Sequence, residues 1–278
     1  MPPTARERRL EVWGDPIAHS LSPQLHAAAY AALGLPWEYG RRRVPAADFD
    51  AELAGLDASY RGLSLTYPLK AAAFAAAARR DRHAELTGAV NTLVLDAQAG
   101  VLGLNTDVGG LVRDLGEHGV AGLEAARIVG AGATATSAVV ALAELGAHRI
   151  EVVARRPEAV APLHRVGERL GVVVVAVPFD AAHGPVPLTL ATLPGGVDLP
   201  DTAARSLAAG GGLLYDVVYG HWPTRLADAW QRAGGRAVNG LGMLLHQATL
   251  QVRAFRGDVG DPLPGEAAVV AAMRAALA

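Results

Sequence analysis

The sequence predicts a two-domain α/β protein. Short β-rich runs alternate with longer Ala- and Leu-rich stretches at helical spacing, the pattern of β-α units around a mainly parallel sheet. From Ala126 that rhythm becomes stricter, which marks a second domain. At roughly 150 residues per domain, 278 residues leave room for two cores, and 51% hydrophobic against 19% charged residues excludes a disordered chain.

Leu10 to Trp13 reads as a strand, and Ser22 with Pro23 as the N-cap and first residue of a helix ending at Leu33-Gly34. Trp37 to Arg43 and Gly62 to Thr66 are further strands. Pro68 opens an Ala-rich helix to about Arg79, where the cluster Arg79-Arg80-Asp81-Arg82 breaks it. Asn91 to Leu95 and Val101 to Leu104 form a hairpin or two short strands around Gly100, and Asp107 caps a helix reaching about His118. The second domain runs as strand Arg127 to Val129, a glycine turn, helix Thr134 to Leu145, strand Arg149 to Ala154 and a helix from Pro157. Strands Val172 to Val177, Leu188 to Ala191 and Leu213 to Val218 follow, and the chain closes with helices over Leu241 to Arg256 and Glu266 to Leu277.

Net charge is 25 − 27 = −2, so nothing in bulk attracts nucleic-acid phosphate or anionic lipid; a small molecule or a second copy of the chain is the expected partner. The basic residues Arg6, Arg8 and Arg9 precede Leu10-Glu11-Val12-Trp13-Gly14 rather than an apolar signal core, and no apolar stretch approaches the roughly 20 residues of a membrane span. With no Cys, disulfide scaffolds, thiolate zinc sites and Cys nucleophiles are excluded, which fits a cytoplasmic location. The nine His residues show no metal-binding spacing, so no metal is expected.

Gly130-Ala131-Gly132-Ala133-Thr134-Ala135 matches G-x-G-x-x-A between a buried strand and a helix, the context that makes this pattern a dinucleotide-binding, Rossmann-like signal. Gly130 permits the tight turn, Gly132 admits a pyrophosphate to the backbone, and free N–H groups face the anion. The competing reading is a plain glycine turn. About 20 residues on, Ala154-Arg155-Arg156 stands where an acidic residue would select NAD; two guanidiniums there suit the 2′-phosphate of NADP, unless they merely form a solvated basic strand end.

Ser20 and Ser22 lie at a helix N-terminus, a place that favours a carboxylate, although Ser22 taken singly is an N-cap. Gly62-Leu63-Ser64-Leu65-Thr66-Tyr67-Pro68-Leu69-Lys70 delivers Lys70 into the first turn of a helix, where the positive terminus disfavours a cation by some tenths of a kcal/mol. That calls for a job or an anionic neighbour, though an ordinary exposed Lys is the default. Gly88-Ala89-Val90-Asn91-Thr92 and Asn105-Thr106-Asp107 supply an amide and a carboxylate at strand ends.

Taken together and in order, these motifs resemble the shikimate dehydrogenase family, shikimate and quinate dehydrogenases included. Tyr215-Asp216-Val217-Val218-Tyr219 and Gly240-Leu241-Gly242-Met243-Leu244-Leu245-His246-Gln247 extend the resemblance from Trp13 to Phe255. It implies a substrate-binding domain over 1–107 completed by 240–278, a Rossmann-like NADP domain over 108–239, and an active site between them. It further implies NADP-dependent reduction of 3-dehydroshikimate to shikimate in aromatic amino acid (chorismate) biosynthesis. Lys70 and Asp107 are then the catalytic pair, with Ser20, Ser22, Thr66, Asn91, Tyr219 and Gln247 on the substrate. Gly130, Ala131, Gly132, Ala133, Thr134, Arg155, Arg156, Val217 and Gly240 bind NADP(H), and the chain is a monomer or homodimer. Ser64 stands where the family usually has Asn, and Tyr67 and Leu69 flank Pro68 unusually. Two alternatives stay open: a quinate or aminoshikimate dehydrogenase using NAD, and a non-catalytic NADP-binding sensor.

Overall fold

Leu10, Val12 and Trp13 are buried, and the strand they form, β1 (Arg8–Gly14), is an inner member of a six-stranded sheet. The computed structural model describes residues 7–96, 99–181, 183–197, 199–220 and 222–277; Arg6, part of the basic N-terminus noted above, lies outside the described residues. The chain divides into two units. One holds the residues up to Gly110 and those from Leu244 onward, the other Leu111–Met243.

In the first unit, β1 leads through α1 (Ser22–Ala32) to the edge strand β2 (Trp37–Arg43). Then come α2 (Phe49–Ala54), β3 (Tyr60–Leu65), α3 (Lys70–Ala76), β4 (Arg79–Arg80), α4 (Arg82–Thr87), β5 (Thr92–Val94) and β6 (Leu102–Leu104), and α5 (Thr106–Glu117) begins in this unit and carries the chain on into the second. The strand order is β2-β1-β3-β5-β6-β4. β1 is parallel to β2 and β3, β4 to β6, and β5 alone runs antiparallel to its neighbours β3 and β6. This topology gathers the carboxyl ends of β1, β3 and β6 and the amino end of β5 along one end of the sheet.

The second unit contains β7 (Ala125–Val129), α6 (Ala133–Glu144), β8 (Arg149–Val153), α7 (Ala161–Leu170), β9 (Val173–Val177) and β10 (Leu188–Ala191). α8 (Asp201–Ala209), β11 (Leu213–Asp216), α9 (Arg225–Arg232) and β12 (Arg236–Asn239) complete it. Its sheet is wholly parallel, in the order β12-β11-β10-β7-β8-β9. That is the doubly wound order, with the switch point between β7 and β10. The chain then returns to the first unit through α10 (Leu241–Arg256) and α11 (Glu266–Ala275).

Helices cover both faces of the first sheet. One core joins Leu25 and Tyr30 of α1 to Val252 and Phe255 of α10 and Met273 of α11; the other packs Trp13, Phe49, Leu63, Leu69 and Ala73 together. In the second unit Val129, Val153, Ala191 and Leu214 meet Leu207 of α8 and Trp230 of α9. Among the described residues no helix is long and apolar enough to cross a membrane.

Several elements depart from the expected pattern. α3 stops at Ala76 rather than near Arg79, because the N–H groups of Ala78 and Arg79 both donate to Val101 O and draw the chain into β4 beside β6. A tertiary partner overrides the helix preference of an alanine run. Asp81, expected only to break that helix, caps another: its carboxylate accepts from Ala84 N at 2.7 Å and starts α4. Helix α1 begins one residue early, since Leu25 N bonds Leu21 O; Ser22 is therefore its first helical residue and not its N-cap. Likewise α5 begins at Thr106, and the Asp107 N–H is capped by Asn105 Oδ1 at 3.1 Å, which leaves the Asp107 carboxylate free for other partners. The sequence reading also passed over α2, α8, α9 and β12, all short.

Candidate active site

Lys70 and Asp107 meet at the end of the first sheet. Lys70 opens α3 after β3, Asp107 lies in the first turn of α5 after β6, and Nζ stands 2.6 Å from Asp107 Oδ2. The two side chains are only 14% and 6% exposed, so the pair is largely withdrawn from water. A buried charge is tolerated when paired and hydrogen-bonded, and this carboxylate has a second donor: Asn91 Nδ2 gives to Asp107 Oδ1 at 2.7 Å. The anionic neighbour that the odd placement of Lys70 called for is therefore Asp107.

Asn91, just ahead of β5, is 2% exposed and held from several sides. Its Nδ2 also approaches Thr106 Oγ1 at 2.9 Å and Gln247 Oε1, on α10, at 3.4 Å. Its Oδ1 accepts from Thr92 Oγ1 at 2.8 Å and from the Thr106 N–H at 2.9 Å. Thr66 follows β3, half-buried, and its N–H donates to Trp13 O on β1. Gly14-to-Ser22 is the neighbouring loop, tied to the Thr66 turn where Asp15 N donates to Tyr67 O at 3.0 Å. In that loop Ser20 Oγ accepts the Ser22 N–H at 3.3 Å. Arginines of the edge strand brace the same loop: Arg43 forks onto Asp15 at 2.8 and 3.1 Å, and Arg41 reaches the carbonyls of Ala18 and Ser20. The structure thus places Ser20, Ser22, Thr66, Lys70, Asn91, Asp107 and Gln247 in the first unit, with Lys70, Asn91, Asp107 and Gln247 in one bonded cluster.

The second unit has its own constellation. Gly130 has φ +113°, and a β-carbon on it would stand 2.6 Å from Thr192 Oγ1, so both conformation and space demand glycine there. Gly132 differs: it is exposed, with nothing within 4 Å of where its β-carbon would be. No internal packing explains that glycine, and the backbone at the start of α6 is open to the approach of an anion. Ala131 completes the turn, and Ala133, exposed, and Thr134 open α6. Arg155 and Arg156 follow β8, both exposed, and among the described residues neither guanidinium has a hydrogen-bond or ion-pair partner. An open glycine turn next to unengaged guanidiniums is a donor set that fits a dinucleotide with an extra phosphate. Val217 and Tyr219 lie half-buried after β11, where burial pushes the Tyr219 phenol up, and the buried Gly240 donates its N–H to Val218 O. A cavity of about 170 Å³ opens at the ends of β10 and β11, lined by Ala191, Gly195, Asp216, Val218 and Thr224 among others.

The family description "Shikimate dehydrogenase substrate binding domain" matches residues 12–93. A shikimate dehydrogenase (NADP(+)) of Alkalilimnicola ehrlichii is 37% identical, over 96% of this chain and 98% of its own. The chain belongs to the shikimate dehydrogenase family. Among solved structures, the shikimate dehydrogenase of Mycobacterium tuberculosis is 42% identical with a TM-score of 0.84, covering 96% of this chain and 99% of its own. A shikimate 5-dehydrogenase of Thermus thermophilus, solved in complex with NADP(H) and shikimate, is 30% identical with a TM-score of 0.79, covering 97% of this chain and 99% of its own.

Within this shikimate dehydrogenase family fold, two features of the cluster escape a motif reading. Gln251, one turn beyond Gln247 on α10 and 1% exposed, bonds Asn91 O and Thr92 Oγ1. The signal available was two glutamines four apart on a helix whose intervening Ala248 and Thr249 are buried. The other lies in composition: Lys70 is the only lysine of the 278 residues, so the remaining 24 of 25 cations are arginine. A chain that uses guanidinium for every other cationic side chain carries its one side-chain amine in this cluster.

Proposed function

We propose that this chain is a shikimate dehydrogenase, catalysing the reversible NADP-dependent reduction of 3-dehydroshikimate to shikimate in aromatic amino acid (chorismate) biosynthesis. The observation that carries the reading is the Lys70–Asp107 pair, an ammonium 2.6 Å from a buried carboxylate in a chain of this family. The chemistry supplied by the bound nicotinamide is a hydride to the ketone carbon. Lys70 donates a hydrogen bond and then a proton to the oxygen that becomes an alkoxide. Asp107 keeps the ammonium in place and accepts from the neighbouring substrate hydroxyl. Ser20 and Ser22 donate to the substrate carboxylate, Tyr219 serves its carboxylate end, and Thr66, Asn91 and Gln247 take the ring hydroxyls. Gly130, Ala131, Gly132, Ala133 and Thr134 hold the pyrophosphate on backbone N–H groups, and Arg155 and Arg156 hold the 2′-phosphate. Val217 and Gly240 line the nicotinamide side.

Steady-state oxidation of shikimate and quinate, each with NADP and with NAD, tests the assignment in four rates. Shikimate with NADP is expected to be fastest, and Arg155→Ala to weaken NADP about tenfold while leaving NAD unchanged. Absence of turnover with any pair would leave a binder without catalysis, and quinate with NAD as the fastest pair would move the chain to the quinate enzymes.

A further inference from the structure

Behind Asn91 and Asp107 runs a buried chain of hydrogen bonds whose further members, Thr92, Gln251 and His26, have no part in the reaction proposed above. We propose that Gln251 and Thr92 are positioning residues, which fix the Asn91 side chain against Asp107 and so fix the carboxylate that grips Lys70. The inference rests on the assignment of Lys70 and Asp107 to the reaction and adds two residues that do not touch substrate.

The donors in this chain point one way. His26 Nε2 lies 3.2 Å from Gln251 Oε1, which can only accept, so the imidazole donates there and its Nδ1 accepts from Tyr30 OH at 3.1 Å. Burial pushes the imidazole down to about 3, so it stays neutral, with one donor and one acceptor. Ser64 Oγ, which accepts from Tyr39 OH at 2.6 Å, donates to the same Gln251 oxygen at 2.8 Å. With Oε1 engaged from two sides, the Gln251 amide is oriented, and its Nε2 donates to Asn91 O at 3.2 Å and Thr92 Oγ1 at 3.0 Å. Thr92 Oγ1 accepts that hydrogen bond and so directs its own O–H at Asn91 Oδ1, 2.8 Å away. Asn91 then presents Nδ2 to Asp107 Oδ1 at 2.7 Å, and Asp107 Oδ2 holds Lys70.

Every member between His26 and Asp107 is buried: His26 and Thr92 are 0% exposed, Gln251 1% and Asn91 2%. Buried amides and hydroxyls of this kind are fully satisfied or costly. A network built only to fill the core gains nothing by ending on an ionised carboxylate, whereas one that orients a reacting pair must end there. Ser64 fits the same account, since its hydroxyl is engaged between Tyr39 and Gln251 within the chain.

The test uses the whole enzyme and two readouts. Thr92→Val and Gln251→Met remove donors at nearly constant volume, and Thr92→Ser keeps the hydroxyl. The expected result is a loss of kcat of about tenfold in each of the first two, with the KM for shikimate changed less than about threefold, and near-normal turnover in Thr92→Ser. The double variant Thr92→Val/Gln251→Met should lose no more than the worse single one, because both act through one path. The second readout needs no turnover. With one lysine in the chain, acylation of Lys70 by an amine reagent, followed by peptide mass, reports its hold directly. It should run several-fold faster in Thr92→Val and Gln251→Met and at the unmodified rate in Thr92→Ser. Equal acylation across the set would overturn the proposal, as would Thr92→Ser behaving like Thr92→Val. A wild-type chain inert toward shikimate, with the acylation pattern intact, would instead defeat the functional reading while leaving the positioning role standing.

Discussion

An amine at the start of a helix is electrostatically misplaced, and in this chain it is the only lysine. The carboxylate 37 residues later makes the position tenable, and in the proposed reaction the same bond would hold a cation still beside the carbonyl oxygen, where it stabilises the charge that hydride transfer creates. Replacing Lys70 by Ala is expected to lower kcat by about 10²- to 10⁴-fold and to change the KM for shikimate far less, as steady-state kinetics will show. Near-normal turnover would remove its assigned role. Lys70 was legible in the sequence because its chemistry contradicts its local position. Gln251 was not, because a glutamine on a helix face carries no such contradiction until its distant partners are known.

At the scale of elements, the strand-turn-helix around Gly130 shows two glycines retained for different reasons. Gly130 answers to the protein itself, through φ +113° and the hydroxyl of Thr192, while Gly132 borders open space. Gly130→Ala is therefore expected to cost about 1–3 kcal/mol of stability in urea unfolding. Gly132→Ala should leave stability within about 0.5 kcal/mol and weaken NADP binding, measured by fluorescence titration. Unchanged affinity in Gly132→Ala would argue that the turn binds no pyrophosphate. This element was readable because turn, strand and helix are adjacent in sequence and each glycine has a local signature. The end of α3 was not readable: the alanine run would continue as helix, and it is Val101, in a later segment, that takes the N–H groups of Ala78 and Arg79 for β4.

For the molecule as a whole, burying His26 ties stability to pH. Its folded value of about 3 lies below the ordinary 6.5, so between these values the unfolded chain binds a proton that the folded chain refuses. The contribution is complete above pH 6.5 and is lost as pH falls toward 3, at about 1.4 kcal/mol per pH unit. In urea unfolding, the stability of the unmodified chain relative to His26→Gln should therefore shrink steadily from about pH 7 to about pH 4.5. A difference independent of pH would show that His26 titrates normally in the folded state.

What the sequence determined by itself is the α/β alternation, the glycine turn between strand and helix and the ordered set of polar residues at strand ends, because each is written in local spacing and in the chemistry of adjacent residues. The tertiary structure alone decided which of those residues meet. Asn91 and Gln251 are 160 positions apart, and His26 and Gln251 are 225. Their contact follows from strand order and from burying α1 and α10 on one face of the first sheet, and no local periodicity records a hydrogen bond to a partner that distant.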